Sequence, residues 1–277
     1  MTALNKRLQA VFAIILSEAL LAAAGVPLQA PHPANPPQTQ AQVSSGSRIQ
    51  PLRQGFEFPY DQTLHYQGEW RFIDAGVATM RIEHSGNSNH ISATADSTGV
   101  VALLYRVQDR FNSYFDNKTL CSSKVIKHSE EGSRSRDTAI TYDYSRGKAV
   151  LDEHNLKTNE QKRVENDIPN CVTDIVSGIF YVSSLPLQVG ATYKFPLNDG
   201  GKTVTVQAHV EGKEEVKTPA GTFQTVRVGP EGDSGTLLKN KGRIWIWYSD
   251  DERHLPIQMR AKLFWGTVTV YLSSISK

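Results

Sequence analysis

Short runs of alternating apolar and polar residues recur from Thr63 to Ser273, each closed by Gly, Pro, Asn or Asp. Alternation with period two is the mark of strands that bury one face, and the punctuation is that of hairpin turns. The pattern predicts strands over Thr63–Ile73, Val77–His84, His90–Ser97, Gln108–Phe115, Ser123–Glu130, Arg136–Tyr144 and Ala149–His154. It predicts more over Tyr193–Leu197, Lys202–Lys213, Glu215–Lys217, Phe223–Val228, Ile244–Tyr248, Leu255–Leu263 and Thr267–Ser273. In the first strand Leu64, Tyr66, Trp70 and Phe72 share a parity, and Asp74-Ala75-Gly76 reads as the turn that follows. Pro219-Ala220-Gly221 reads as a tight turn, because Pro fixes φ and Gly accepts positive φ. Pro256 implies an edge position or an irregular start for its strand.

Two segments break the alternation. Thr98–Arg106 carries Val100, Val101, Leu103 and Leu104 and reads as one or two helical turns. Asn170–Leu185 has apolar residues at helical spacing, Thr173 or Asn170 to cap it, and Pro186 to stop it. The fold class implied is all-β: a large curved antiparallel sheet or open β-barrel with one packed helix.

The ends of the chain refine the division. Lys6 and Arg7 precede an apolar stretch, Val11–Leu16 and Ala19–Val26, interrupted by Ser17 and Glu18 and followed by small residues at Ala22 and Ala24. This is the outline of an export signal over residues 1–24. The stretch is too broken for the ~20 apolar residues of a stable span, so the mature chain is expected to have none. Residues 25–55 are rich in Pro, Gln and Ser and read as a disordered linker. Residues 56–277 read as one β domain.

The chain has 277 residues, 39% hydrophobic and 21% charged, with a net charge of +2. That balance offers no field for nucleic acid. Cys121 and Cys171 both lie in the exported part, where an oxidising compartment lets them close a loop worth roughly 3–4 kcal/mol. Two buried free thiols are the other reading. Two cysteines without neighbours at ligand spacing supply no zinc site, and the expectation is neither metal nor cofactor.

Little else nominates chemistry. Asp250-Asp251-Glu252 reads as solvated turn acids, since no spaced calcium loop surrounds it. His84 and His90 flank one hairpin turn as strand-end residues. No Gly-x-Ser-x-Gly elbow is present. The aromatic residues are more suggestive. Tyr66 and Trp70 share one face of the first strand. Trp245 and Trp247 share one face of another, with Ile244, Ile246 and Tyr248 opposite. Either both faces pack against other layers, or one lines a groove for an apolar or sugar-like ligand. Tyr66, Trp70, Trp245 and Trp247 are therefore the candidate ligand-binding residues, and no catalytic residue is nominated.

The chain resembles one bacterial family, catalogued as domain of unknown function 3108. The residues that carry the resemblance are Leu64-His65-Tyr66 with Trp70 and Ala75-Gly76, then Val172-Thr173-Asp174-Ile175 and Leu187-Gln188-Val189-Gly190. Thr218-Pro219-Ala220-Gly221-Thr222-Phe223, Ile246-Trp247-Tyr248-Ser249-Asp250-Asp251, Leu255-Pro256-Ile257 and Gly266-Thr267-Val268 complete it. The resemblance implies a secreted or periplasmic antiparallel β protein and no reaction, cofactor or substrate. The functional expectation is a non-catalytic binding or envelope-maintenance module for a hydrophobic or amphipathic ligand or a protein partner. Its partners would be a lipid, a glycan or an envelope protein. The alternatives are a hydrolase of envelope polymers and a purely structural sheet.

Overall fold

The computed structural model describes residues 47–232, 242–263 and 266–277. The expected export signal and residues 25–46 of the linker lie outside them. The first half of the folded chain builds β1 (Thr63–Trp70), β2 (Ile73–Ser85), β3 (Ser88–Ser97), α1 (Gly99–Leu104), β4 (Val107–Asp116), β5 (Ser122–Glu131), β6 (Arg134–Asp143), β7 (Lys148–Asn155) and β8 (Gln161–Asp167). The second half builds α2 (Ile175–Ser183), β9 (Thr192–Asn198), β10 (Thr203–Thr218), β11 (Gly221–Gly232), β12 (Arg243–Ser249), β13 (Pro256–Leu263) and β14 (Gly266–Ser276).

The fourteen strands form one sheet in the order β8-β7-β6-β5-β4-β3-β2-β1-β14-β13-β12-β11-β10-β9. Each half is an antiparallel meander, and the two meet where the first strand pairs with the last, Leu64 opposite Ile275 and Trp70 opposite Val268. The sheet curls until its two edges approach but do not ladder. Side chains bridge this seam: Tyr142 Oη donates to the Asn198 carbonyl at 2.9 Å, and Asn198 Nδ2 donates to Asn166 Oδ1 at 2.7 Å.

Alternation puts Ile91, Ala93 and Ala95 of β3, Phe111 and Phe115 of β4, and Val206, Ala208 and Val210 of β10 into the enclosed face. Helix α2 fills what the sheet encloses, and every residue from Val176 to Ser183 is buried. A helix apolar all round needs such a site. Tyr248 Oη donates to the Ile179 carbonyl, and the buried ring of His254 bonds the Ser183 carbonyl at 2.8 Å through Nδ1. That bond makes Nδ1 the donor, and burial holds the His254 pKa below its ordinary value.

The structure departs from the sequence reading in several places. The turn between the first two strands is Arg71-Phe72, and Asp74-Ala75-Gly76 lies within β2. A register shift at Gly68/Glu69 accompanies it. Asp174, not Thr173 or Asn170, caps α2, because its carboxylate reaches the Val176 and Ser177 amides. Lys202–Lys213 and Glu215–Lys217 are one strand, β10, shifted in register between Val210 and Gly212. Of the two readings of Pro256, the irregular start holds and the edge does not: it begins interior strand β13 beside a register shift at Trp247/Tyr248. Residues 47–55, read as linker, are docked. The Arg48 amide bonds the Lys194 carbonyl of edge strand β9, and the Arg53 amide bonds the Ser184 carbonyl. Ile49 and Leu52 pack on the core and account for this attachment.

Cys121 and Cys171 form a disulfide across 50 residues. It ties the chain entering β5 to the chain entering α2.

Candidate functional site

The four candidate aromatics do not gather into one site. Tyr66 points into the core, and its buried hydroxyl donates to the Pro256 carbonyl at 2.9 Å. Trp70 ends β1 at one rim, with the Arg71 guanidinium 5.4 Å from its ring. Trp245 and Trp247 lie on the outer face of β12, since Ile246 and Tyr248 point inward. Trp247 is only 3% exposed. Its Nε1 donates to Glu214 Oε1 at 2.8 Å, and the Arg260 guanidinium lies 5.1 Å from its ring. Arg243 covers Trp245 in the same way. Both faces of β12 are therefore occupied by the protein itself, one by the helix and the other by guanidinium groups.

The acids of the 250–252 turn also serve the fold. Asp250 pairs with Lys213 at 2.7 Å. Burial pushes the Asp251 carboxyl up, but hydrogen bonds from Ser249 and Arg253 outweigh it and hold the group below the usual carboxylate range. His84 stacks on Tyr60 and His90 on Tyr114.

The enclosed face around β4 and β5 carries ionisable groups that the pattern did not single out. Asp109 lies opposite Ser129, with Lys127 and Glu131 on the diagonals. Asp109 is fully buried, and its carboxyl lies within reach of the Glu131 carboxyl and the Ser129 hydroxyl. Burial pushes its pKa up to about 7; Lys127 opposes this, and the nearby Glu131 adds to it.

The exposed feature lies at the end of the barrel where β1 turns into β2. Gly99–Leu104 buries Val101, and Tyr105 follows it into the core. Val100, Leu103 and Leu104, at i, i+3 and i+4 spacing, face away from the protein, with Leu103 87% exposed. An amphipathic helix normally turns that stripe inward. Beside it, Phe72 is 96% exposed and Ile73 and Val77 are about half exposed. The Thr98 amide bonds the Ala75 carbonyl and holds α1 against β2.

Backbone geometry keeps Phe72 out. Arg71 and Phe72 have φ of 49° and 69°. A two-residue hairpin loop of type I′ needs positive φ at both positions, which Asn and Gly supply at little cost. The left-handed region costs other residues roughly 1–2 kcal/mol each. At Gly266 a Cβ would lie 2.8 Å from Arg71 Nε and 2.9 Å from Trp70 Nε1, so the tip rests on β14 only because that residue is glycine.

An open, helix-filled antiparallel barrel presenting an apolar rim defines the class of protein. The profile of a protein family of unknown function, DUF3108, matches residues 63–273, and the chain belongs to that family. No curated protein matches the sequence. Among solved structures the fold is similar to a β-barrel-like protein of domain of unknown function DUF1849 from Brucella abortus. Identity is 9%, the TM-score is 0.54, and the likeness covers 83% of this chain and 99% of that one. A Bacteroides fragilis protein inferred to be exported, with a YmcC-like fold, matches at 11% identity and TM-score 0.31, over 80% of this chain and 99% of that one.

Proposed function

We propose that the chain is an exported, non-catalytic binding module of the bacterial envelope that docks an amphipathic partner at its apolar rim. The carrying observation is the outward stripe Val100, Leu103 and Leu104 beside Phe72. Phe72 and Leu103 are too exposed to contribute much to folding, and a contiguous apolar patch marks an interaction surface. The interior supports the same reading, because α2 occupies the space a sheltered ligand would need. Export is supported by the basic and apolar pattern of residues 1–24 and by the Cys121–Cys171 bridge, since disulfides persist in oxidising compartments. Helices of the described residues are too short or too polar to cross a membrane.

The hydrolase reading has one observation in its favour, the raised proton affinity of Asp109 beside Glu131. Complete burial of Asp109 keeps a polymer from it.

A photo-crosslinking residue at position 103, installed in the native host, tests the docking. The expected result is adducts at position 103 and none at position 189, an exposed apolar position in the α2–β9 connection. Absence of adducts at position 103 would overturn the reading.

A further inference from the structure

We infer that the rim seats the protein on the surface of an anionic lipid bilayer. The inference rests on the docking reading above and names its partner.

Three observations favour a bilayer. The apolar side chains stand on two separate tips, a hairpin turn and one face of a short helix. Phe72 and Leu103, nearly free of protein contact, have the form of wedges that enter an interfacial layer. A protein partner would instead have to supply a pocket for each. Cations surround the wedges. Around the wedges stand Arg71, Arg106 and Lys262 with the acid Asp74; Glu69 lies opposite Asp74, and Asp96, opposite Val77, is neutralised by Arg110. All three cations are exposed. Arg106 hydrogen-bonds the neutral side chain of Gln108, and Lys262 has no acid within ion-pair distance among the described residues. The Arg71 amide bonds the Thr267 carbonyl, and Thr267 lies opposite Lys262, so these two cations flank the tip that carries Phe72. Apolar residues ringed by cations match a layer of acyl chains beneath lipid phosphates. Finally, the Phe72 ring already stands outward on its turn before any partner arrives.

In this arrangement Phe72, Leu103, Val100 and Leu104 enter the headgroup–acyl boundary. Arg71, Arg106 and Lys262 lie at the phosphates.

The test is co-sedimentation of the mature chain with large unilamellar vesicles, either phosphatidylethanolamine with phosphatidylglycerol or phosphatidylcholine alone, at low and high salt. The wild-type chain is expected to bind the phosphatidylglycerol vesicles, and to bind them more weakly at high salt. F72D and L103D, tested separately, should each lower the partition coefficient at least tenfold. Asp accepts positive φ, so F72D keeps the turn. The triple variant R71Q/R106Q/K262Q should lose binding to phosphatidylglycerol vesicles and, with it, the salt dependence. V189D, at an exposed apolar residue outside the rim, should bind like the wild type. A wild-type chain that stays in the supernatant with both compositions overturns the inference. So does an equal loss in V189D, or retention in F72D and L103D. Failure with vesicles accompanied by protein adducts at position 103 would remove the bilayer and leave the docking reading standing. Failure of both would remove the rim as a binding surface.

Discussion

Ser113 of β4 lies with its hydroxyl 2.6 Å from Asp174 Oδ2, joining two residues 61 positions apart. Ser122 and Ser177 place their hydroxyls 2.7 and 2.8 Å from the same oxygen, and Oδ1 accepts the Val176 and Ser177 amides. One carboxylate therefore caps α2 and fastens it to β4 and β5. Removing it as Asp174→Ala would leave buried hydroxyls and amides without an acceptor. A lost cap costs about 1 kcal/mol and each stranded buried group roughly 1–3 kcal/mol. A total loss of about 3–5 kcal/mol is expected, read as a lower urea midpoint. Asp174→Asn should cost less, because serine hydroxyls can rotate to accept from its amide.

Phe72 should be replaceable at a gain in stability. Its side chain buries nothing, and its backbone sits where Asn is far more at ease. Phe72→Asn is expected to stabilise the fold by about 1 kcal/mol while weakening docking. A rise in the thermal midpoint checks it, and a fall would show that the ring supports the fold after all.

Trp247 is the converse case. Read from sequence as a ligand-binding residue, it is buried between Glu214 and Arg260. Truncating a buried tryptophan costs about 3–5 kcal/mol. Trp247→Ala should lower the denaturant midpoint accordingly, and lost binding in that variant would report lost folding. An unchanged midpoint would return Trp247 to the list of candidate contacts.

Asp109 gives the fold a pH dependence. In the unfolded chain an Asp ionises near pH ~4, whereas burial holds Asp109 protonated to about 7. Between those values the folded state carries the extra proton, so stability falls as pH rises. The slope from this group is at most about 1.4 kcal/mol per pH unit, and it vanishes above the folded pKa. Glu131 and Lys127 face the same carboxyl and share the titration. Asp109→Asn should flatten stability between pH 5 and 8, measured by thermal melts at fixed ionic strength. A slope identical to that of the wild type would show that Asp109 does not carry the proton.

Much of the fold was legible because alternation survives wherever one face is buried. Strand β8 was not, since Gln161–Asp167 has Val164 as its sole apolar residue and lies at an edge, where little packing is asked of it. The Arg71-Phe72 turn was hidden for the opposite reason. It lacks the Gly or Asn that announces a hairpin loop, and Phe72 continues the parity of Leu64 and Tyr66. The helical turns at Gly99–Leu104 could be read, but periodicity reports that a helix has an apolar face and not where that face points. The rim therefore lay in residues whose pattern carries no sign of the direction they face. The aromatic pairs on β1 and β12 were legible as faces. Of what covers the outer one, Arg260 arrives from the neighbouring strand β13, and Arg243, two residues before Trp245 on β12 itself, is held there by Glu211 of β10.

The pairing of β1 with β14 sets a clock on the molecule's assembly. Thr63 waits for Ser276, nearly the whole folded length away. Contacts so distant in sequence form late, because a long loop must be closed before they give anything back. While the tail is still emerging, each meander has an uncovered border strand and α2 has only part of its housing. Each meander can pair locally before then, but the sheet becomes continuous only when β14 is in place, so its joining is the last step of assembly.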